Sequence, residues 1–542
     1  MLRLYNLKLP LDYQDTTLYT VVSKALGVPT NRILSCKVSR KSIDARKKDK
    51  ICFVVSLDAK LAVSDDEEKR IASLLPASVG GVLTPYSPPK IPILSSPPLR
   101  RPVVVGFGPA GIFAALTLAE AGACPIILER GKDVDSRTED VHHYWQGGSK
   151  AFLSHSNVQF GEGGAGTFSD GKLNTGIKDP IAEHVLRSLV RFGAPSDILT
   201  DAKPHIGTDY LAKTVKALRQ YIVSLGAEIH FESKLLSIIH SNGHVVAVEY
   251  EKKGALEELK TDQVILAIGH SARDTLECFN NHHFTILQKP FSMGVRIEHP
   301  QRLINLVQYG RQADNKHLKA ADYKLSVHLP SGRSVYTFCM CPGGRVIAAA
   351  SEDETIVTNG MSFNARSEEN ANSAVLVGIS PEDFGSSHPL AGMYMQRGIE
   401  KLAFQLGGRN GSAPCQSVGD LLCIHTKSGL GEVTPSYLPG VQYTDLTKLY
   451  PSYIMDSIKA ALPCFAHRIK GFDMPEAFLT GPETRSSSPV RLPRKENTVS
   501  VDIEGLHPCG EGAGYAGGIT SAAVDGVHCA QSVLQFYAEK AI

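Results

Sequence analysis

The stretch RPVVVGFGPAGIFAALTLAEAGACPIILERG, residues 101–131, restricts the fold more than any other part of this chain. VVV is a continuous β-branched run of the kind found in a parallel strand covered on both faces. GFGPAG is a tight turn, IFAALTLAEAG an apolar helix closed by glycine, and IILE a second strand. Gly106, Gly108 and Gly111 form GxGxxG: the first permits the turn, the second lets backbone approach a pyrophosphate, and the third lets helix pack closely on strand. Phosphates then lie by Pro109 and Ala110 at the helix N-terminus, where free N–H groups and the helix dipole favour anions. Glu129, followed by Arg130, ends the second strand roughly 20 residues on, where a carboxylate accepts from both ribose hydroxyls and repels a 2′-phosphate. Strand, turn, helix and acid in this order distinguish the motif from a stray glycine turn, but leave NAD and FAD undistinguished.

At 542 residues the chain exceeds one compact core, and two or three domains are expected. Residues 1–84 read as a small α/β module. VVSKALGV is a helix end stopped by Gly27, ILSCKV and ICFVVSL are strands, and Ser64 with Glu67 caps a helix through IASLL. The intervening SRKSIDARKKDK carries Arg40, Lys41, Arg46, Lys47, Lys48 and Lys50. It reads as a solvated hairpin in preference to a nucleic-acid or partner contact. Residues 85–100 hold six prolines and form an extended spacer. The fold class expected is α/β: a Rossmann-like dinucleotide-binding domain from 101–274 and 491–542, with a mixed α+β substrate domain inserted at 275–490. Thr208 is expected to cap a helix whose Leu211, Val215, Leu218 and Ile222 share one face. GAEIHF, HVVAVEYEK, QVILAIG, FSMGVRI and RSVYTFCMC read as strands, YIMDSIKAAL as a helix, and VSVDIEGLHPCGEGAGYAGGITSAAVDG as a returning strand, glycine loop and helix.

A net charge of +2 gives no reason to expect nucleic acid as a partner, and no apolar run is long enough to span a bilayer. Eleven scattered cysteines and the lack of a secretory signal point to the cytoplasm.

GxGxxG continued by Ala115, Leu118, Ala119, Gly122, Glu129 and Gly131 resembles the extended dinucleotide motif of glutathione-reductase-type flavoproteins. QVILAIG, with Ala267 and Gly269, resembles their strand that passes the cofactor midway, with Leu235 alongside. CGEGAGYAGGITSA resembles their C-terminal motif, in which an acid holds the ribityl chain and a helix start faces the flavin. These likenesses imply FAD, touched by Gly510, Glu511, Gly512, Gly517, Gly518, Ile519 and Thr520. Glu511 replaces the usual aspartate and is one methylene longer. A helix start at Ile519 would stabilise the negative charge of reduced flavin. GEGGAGTFSDGKL reads as a flavin-side loop, with Gly163, Gly164, Thr167 and Gly171 near the ring and Lys172 neutralising charge. Together with CMCPGG and GPETRSSSPVRLPR, it resembles a family of uncharacterised FAD-dependent dehydrogenases with a small α/β domain ahead of the core.

That likeness implies an oxidoreductase moving hydride or electron pairs between flavin and an unidentified small molecule. The catalytic candidates are Arg485, for clamping an anionic group with Thr484 and Ser486–Ser488, and Cys339 with Cys341, whose side chains share one face of a regular strand. No second CxC or His pair completes a metal site, and the CxxC of disulfide reductases is replaced by SDGKLNTG. His270 follows the Gly269 strand and could touch cofactor, whereas His142 and His143 have no evident partner. No second GxGxxG follows a strand, so NAD(P)H is expected at most as a transient donor. The rival readings are a flavin-dependent tRNA-modifying enzyme and a non-enzymatic flavin sensor whose N-terminal module binds a protein partner.

Overall fold

The computed structural model describes residues 1–424 and 433–540, and it has a mixed α/β fold. Burial alternates along much of Leu2–Leu9 and Cys52–Leu61, as in strands with one face on a core and one on water. They belong to a four-stranded antiparallel sheet ordered Ile33–Asp44, Cys52–Leu61, Leu2–Leu9, Gly80–Val82. Helix Asp15–Leu26 ends on Gly27 at φ +67°, and Ser64 accepts from the Glu67 N–H ahead of helix Asp65–Leu74. The strand Ile33–Asp44 also reaches outward. Lys41 N donates to Thr200 O at 2.7 Å and Ala202 N donates to Lys41 O at 2.8 Å. Ile43, Ala45 and Ile51 pack on the core of the largest sheet. Within the basic hairpin, Arg46 pairs with Asp44 at 2.7 Å. Residues 85–100 have no helix or strand but are tied down by Leu94 N to Ala121 O at 2.9 Å and by Tyr86 Oη with His184 Nδ1 at 2.9 Å.

Five parallel strands follow in the order Leu506–Pro508, Val264–Leu266, Val103–Val105, Ile126–Leu128, Glu228–His230. The three inner ones are buried throughout, which is why they read as unbroken apolar runs. Helix Ile519–Lys540 lies against helix Pro109–Glu120 so closely that a Cβ on Gly526 would stand 2.1 Å from Ala110 O. An antiparallel meander, Ser233–Ser241, His244–Lys252 and Ala255–Lys260, packs beside this sheet.

The largest sheet has seven strands, ordered Ser326–His328, Ser334–Cys341, Asn370–Ile379, Phe291–Pro300, Phe478–Glu483, Ala413–Ser417, Val441–Tyr443. Only the last pair is parallel. Helices Ala391–Leu406 and Ser452–Ala466 contribute to its core. The short pair Leu287–Gln288 and Val490–Arg491 forms where the chain passes between the two large sheets.

Two local expectations are corrected. Thr208 is the first residue of helix Thr208–Ser224, not its cap; Gly207 takes the cap position at φ +86°, and Thr208 Oγ1 donates to Thr167 O at 2.6 Å. The CxC segment is not a regular strand, because Cys339 adopts φ +43° and the pairing slips beside it. Among the described residues, no helix is long and apolar enough to cross a membrane.

Candidate functional site

A cavity of about 360 Å³ opens where the parallel sheet meets the seven-stranded one. Its wall is assembled from Val105–Ala110, Leu128–Arg130, the loop from Gln159 to Lys172, Ala267–Ser271, Cys339, Glu483 with Arg485 and Ser486, and the segment from Cys509 to Ala522. Gly106 sits at φ +93° with Ala267 O only 2.4 Å from where a Cβ would stand, so strand and turn cross without room for a side chain. A Cβ on Gly111 would stand 1.9 Å from Gly106 O, so the third glycine does seat the helix on the turn. At Gly108 the nearest neighbour is the Gly164 backbone, while Gly517 and Gly518 face open space.

Of the cofactor and catalytic candidates, Gly111, Gly163, Thr167, Cys341, Gly510, Gly512 and Thr520 do not line the cavity, nor do Thr484, Ser487 and Ser488 beside Arg485 or His142 and His143; the other candidates, with Ser486 and His270, border it. Thr520 Oγ1 donates to Leu173 O at 2.9 Å, and Gly510 N donates to Asp525 Oδ2 at 2.7 Å. Glu129 borders the cavity but is already engaged: it accepts from Phe107 N at 2.8 Å, Gly131 N at 2.8 Å and Gly161 N at 2.9 Å. A carboxylate has about four lone-pair sites. Three are taken, so Glu129 joins three loops and keeps one acceptor site for a ligand, where the sequence reading gave it two. Arg130 pairs with Asp274 at 2.9 Å and stacks on Phe160.

Arg485 is placed differently from expectation. It borders the cavity, but its Nε and Nη2 donate to Glu400 at 3.0 and 2.8 Å, and Nη1 donates to Ser271 and Ser351. Arg273 binds the same carboxylate, so buried Glu400 is shared by two guanidiniums. Burial works against its charge, yet Arg273 and Arg485 hold its carboxyl well below the usual range. Thr484 Oγ1 donates to Glu400, Ser486 Oγ to Ser292 O, and Ser488 Oγ to Val490 O, so this segment is structural in its contacts.

Lys172 and Asp170 lie on the wall 2.9 Å apart, without hydrogen-bond geometry. Asp170 is completely buried and also accepts from Arg366 and Ser362. Burial disfavours its charge, but Lys172 and Arg366 outweigh that and keep it ionised. Lys172 Nζ and His270 Nε2 are buried atoms without a hydrogen-bond partner among the described residues. The other ring nitrogen of His270 is 3.2 Å from Glu511 Oε1.

Cys509, Asp525 and Cys529 offer three ligand atoms within 4.8 Å of one another. The cationic place there is taken by Arg494, which donates to both Asp525 oxygens and approaches Cys529 Sγ to 3.6 Å.

Sequence reasoning missed Asp170, Arg273 and Glu400, whose hydrogen-bond partners are far away in the chain. It also missed Arg137, which hydrogen-bonds the glycine loop from behind.

The geometry defines a class: mixed α/β proteins whose parallel sheet and second sheet share a glycine-walled cavity. Residues 290–486 match the family described as FAD-dependent protein, C-terminal domain-like, and residues 1–60 match a domain of unknown function, DUF8436. A Clostridium beijerinckii relative described as "Uncharacterized protein" is 45% identical over 540 residues, covering 98% of both chains. The chain belongs to the same family as that clostridial protein. Solved structures align at low similarity. A geranylgeranyl bacteriochlorophyll reductase-like protein from Thermoplasma acidophilum has TM-score 0.35 and 12% identity, covering 81% of this chain and 79% of that one. A flavoprotein/dehydrogenase from Cytophaga hutchinsonii has TM-score 0.35 and 13% identity over the same shares.

Proposed function

We propose that the protein is an FAD-dependent oxidoreductase with a glutathione-reductase-type cofactor arrangement, exchanging hydride or an electron pair with a small molecule admitted to the central cavity. The observation that carries this reading is the convergence of GxGxxG, the Glu129 segment, the glycine loop and the C-terminal helix start on one cavity. The residues present fit the cofactor. Two buried polar atoms that make no hydrogen bond among the described residues, Lys172 Nζ and His270 Nε2, border the cavity, where a polar ligand could meet them. Glycine backbone at 108, 164, 517 and 518 leaves space where side chains would intrude.

In this arrangement the turn at 106–111 and Glu129 would hold the ADP half. Glu511 would reach the ribityl chain, and Gly517–Ile519 with the 164–172 loop would face the ring. Bound FAD supplies two-electron chemistry. The first turn of helix Ile519–Lys540 presents N–H groups that favour negative charge nearby, and Lys172 adds a cation on the same wall. Arg485, with its charge balanced by Glu400, donates through Nη1 on the cavity side and orients Ser271 and Ser351. NAD(P)H would act as an external donor.

The full chain titrated with FAD is expected to turn yellow and to elute with one equivalent of flavin. Gly106→Ala is expected to abolish that binding, since the added Cβ would meet Ala267 O in a backbone conformation alanine resists. Wild-type protein that stays colourless in excess FAD but retains nicotinamide dinucleotide overturns the reading. With flavin bound, anaerobic screening for metabolites that bleach it would identify the substrate.

A further inference from the structure

The strand Ser334–Cys341 breaks its own alternation at the cavity. Its register steps from Phe338 opposite Ala374 to Cys341 opposite Asn372, three residues against two, so the backbone bulges. Cys339 takes φ +43° at that point, a conformation non-glycine residues keep only where their surroundings enforce it. Arg296 supplies the enforcement. Wholly buried and paired with Glu483 at 2.7 Å, it donates through Nη1 to Cys339 O at 3.2 Å and to Asn372 Oδ1 at 2.7 Å.

On an undistorted strand, residues two apart have Cα atoms about 6.6 Å apart. That is close to the limit of about 7 Å beyond which a disulfide cannot close. Here the backbone bulges between the two cysteines, and the Cys341 thiol turns back to donate to Cys339 O at 3.2 Å, so the second cysteine folds onto the first. Cys339 borders the cavity and Cys341 lies behind it. Lys172, with no hydrogen-bond partner for its ammonium among the described residues, is close enough to attract both sulfurs.

We propose that Cys339 and Cys341 are a redox pair that closes to an intramolecular disulfide as two electrons pass to oxidised flavin in the adjoining cavity. This rests on the FAD reading above. One S–S bond forms, and one S–H bond breaks at Cys341. The Cys339 thiolate and the Cys341 thiol together lose two electrons and one proton, and the isoalloxazine gains both electrons and that proton. The electrostatics suit the division of roles. The neighbouring Cys341 thiol draws the Cys339 thiol below its ordinary range against its burial, with Lys172 and Arg296 assisting. The adjacent Cys339 and burial push Cys341 well up, leaving it the proton carrier.

The test is anaerobic reductive titration of the FAD-loaded full chain. Wild type is expected to take up four electrons per flavin, two for each two-electron couple, whereas Cys339→Ser and Cys341→Ser take up two. Wild-type protein alone gives a second readout: after oxidation with oxidised glutathione, peptide mapping is expected to find residues 339 and 341 joined and resistant to alkylation. Uptake of two electrons by wild type, both cysteines remaining alkylatable, or a disulfide mapping instead to Cys509 and Cys529, overturns the proposal. Failure to bind FAD overturns the cofactor reading instead, and the glutathione experiment still reports on the thiols.

Discussion

Arg137 shapes the cavity more than any single residue in the recognisable motifs. Its Nε donates to Asn157 O at 2.7 Å, Nη1 to Glu162 O at 2.7 Å and Gly161 O at 3.2 Å, and Nη2 to Val158 O at 2.8 Å and Gly164 O at 2.9 Å. Burial pulls its pKa down to about 10, partly offset by Glu129 and Glu162. A compact ammonium cannot span five carbonyls in a planar fan. Arg137→Lys is therefore expected to leave buried acceptors unmet at about 1–3 kcal/mol each. Urea unfolding should show a loss of at least about 3 kcal/mol, with FAD affinity falling alongside. The glycine loop itself was legible from its composition, but its organiser was not. DVDSRTEDVHH looks like a charged, exposed helix, and nothing local marks Arg137 as its one wholly buried arginine. Arg485 was legible only in part for a related reason: the segment around it showed the guanidinium but not Glu400, which pairs with it.

At the scale of elements, the edge strand Leu506–Pro508 carries a buried histidine. His507 Nε2 meets Gln263 Oε1 and Nδ1 meets Thr498 Oγ1, each at 2.9 Å. Burial pushes its pKa from 6.5 down to about 3. The unfolded chain therefore takes up a proton that the folded one refuses. The stability this gives is complete above the unfolded value and is lost progressively as pH falls from 6.5 toward 3. His507→Gln, which keeps a polar side chain but does not titrate, should flatten this part of the acid limb in denaturant midpoints measured across that range. The inner parallel strands were readable because both their faces are covered, which makes every residue apolar. The returning strand was legible only as lying somewhere ahead of the glycine loop, because its residues LHP carry little β signal of their own. The seven-stranded sheet was legible only in pieces. Its order depends on pairings such as Arg296 with Thr480, which no local pattern announces.

For the molecule as a whole, the proline-rich segment is less of a hinge than its composition suggests. The N-terminal module is held by the bridge at Lys41, by the Lys41 ion pair to Asp201 at 4.0 Å, and by apolar packing of Ile43 and Ile51. Protein nicked by a protease within 85–100 should still elute from a sizing column as one particle. The double variant Lys41→Pro, Ile43→Asp should release the module after the same cut, because it removes the bridging N–H and buries a charge. The placement of Leu506–Pro508 beside Val264–Leu266, and of Gly526 on Ala110, also governs how this protein is made. On the ribosome, residues 1–84 can close upon themselves as soon as they emerge. The turn at 106–111 instead waits for a distant portion of the polypeptide before its helix meets its main neighbour, helix Ile519–Lys540. Nascent chains stalled before residue 506 should therefore expose that apolar helix to chaperones and be unable to retain flavin.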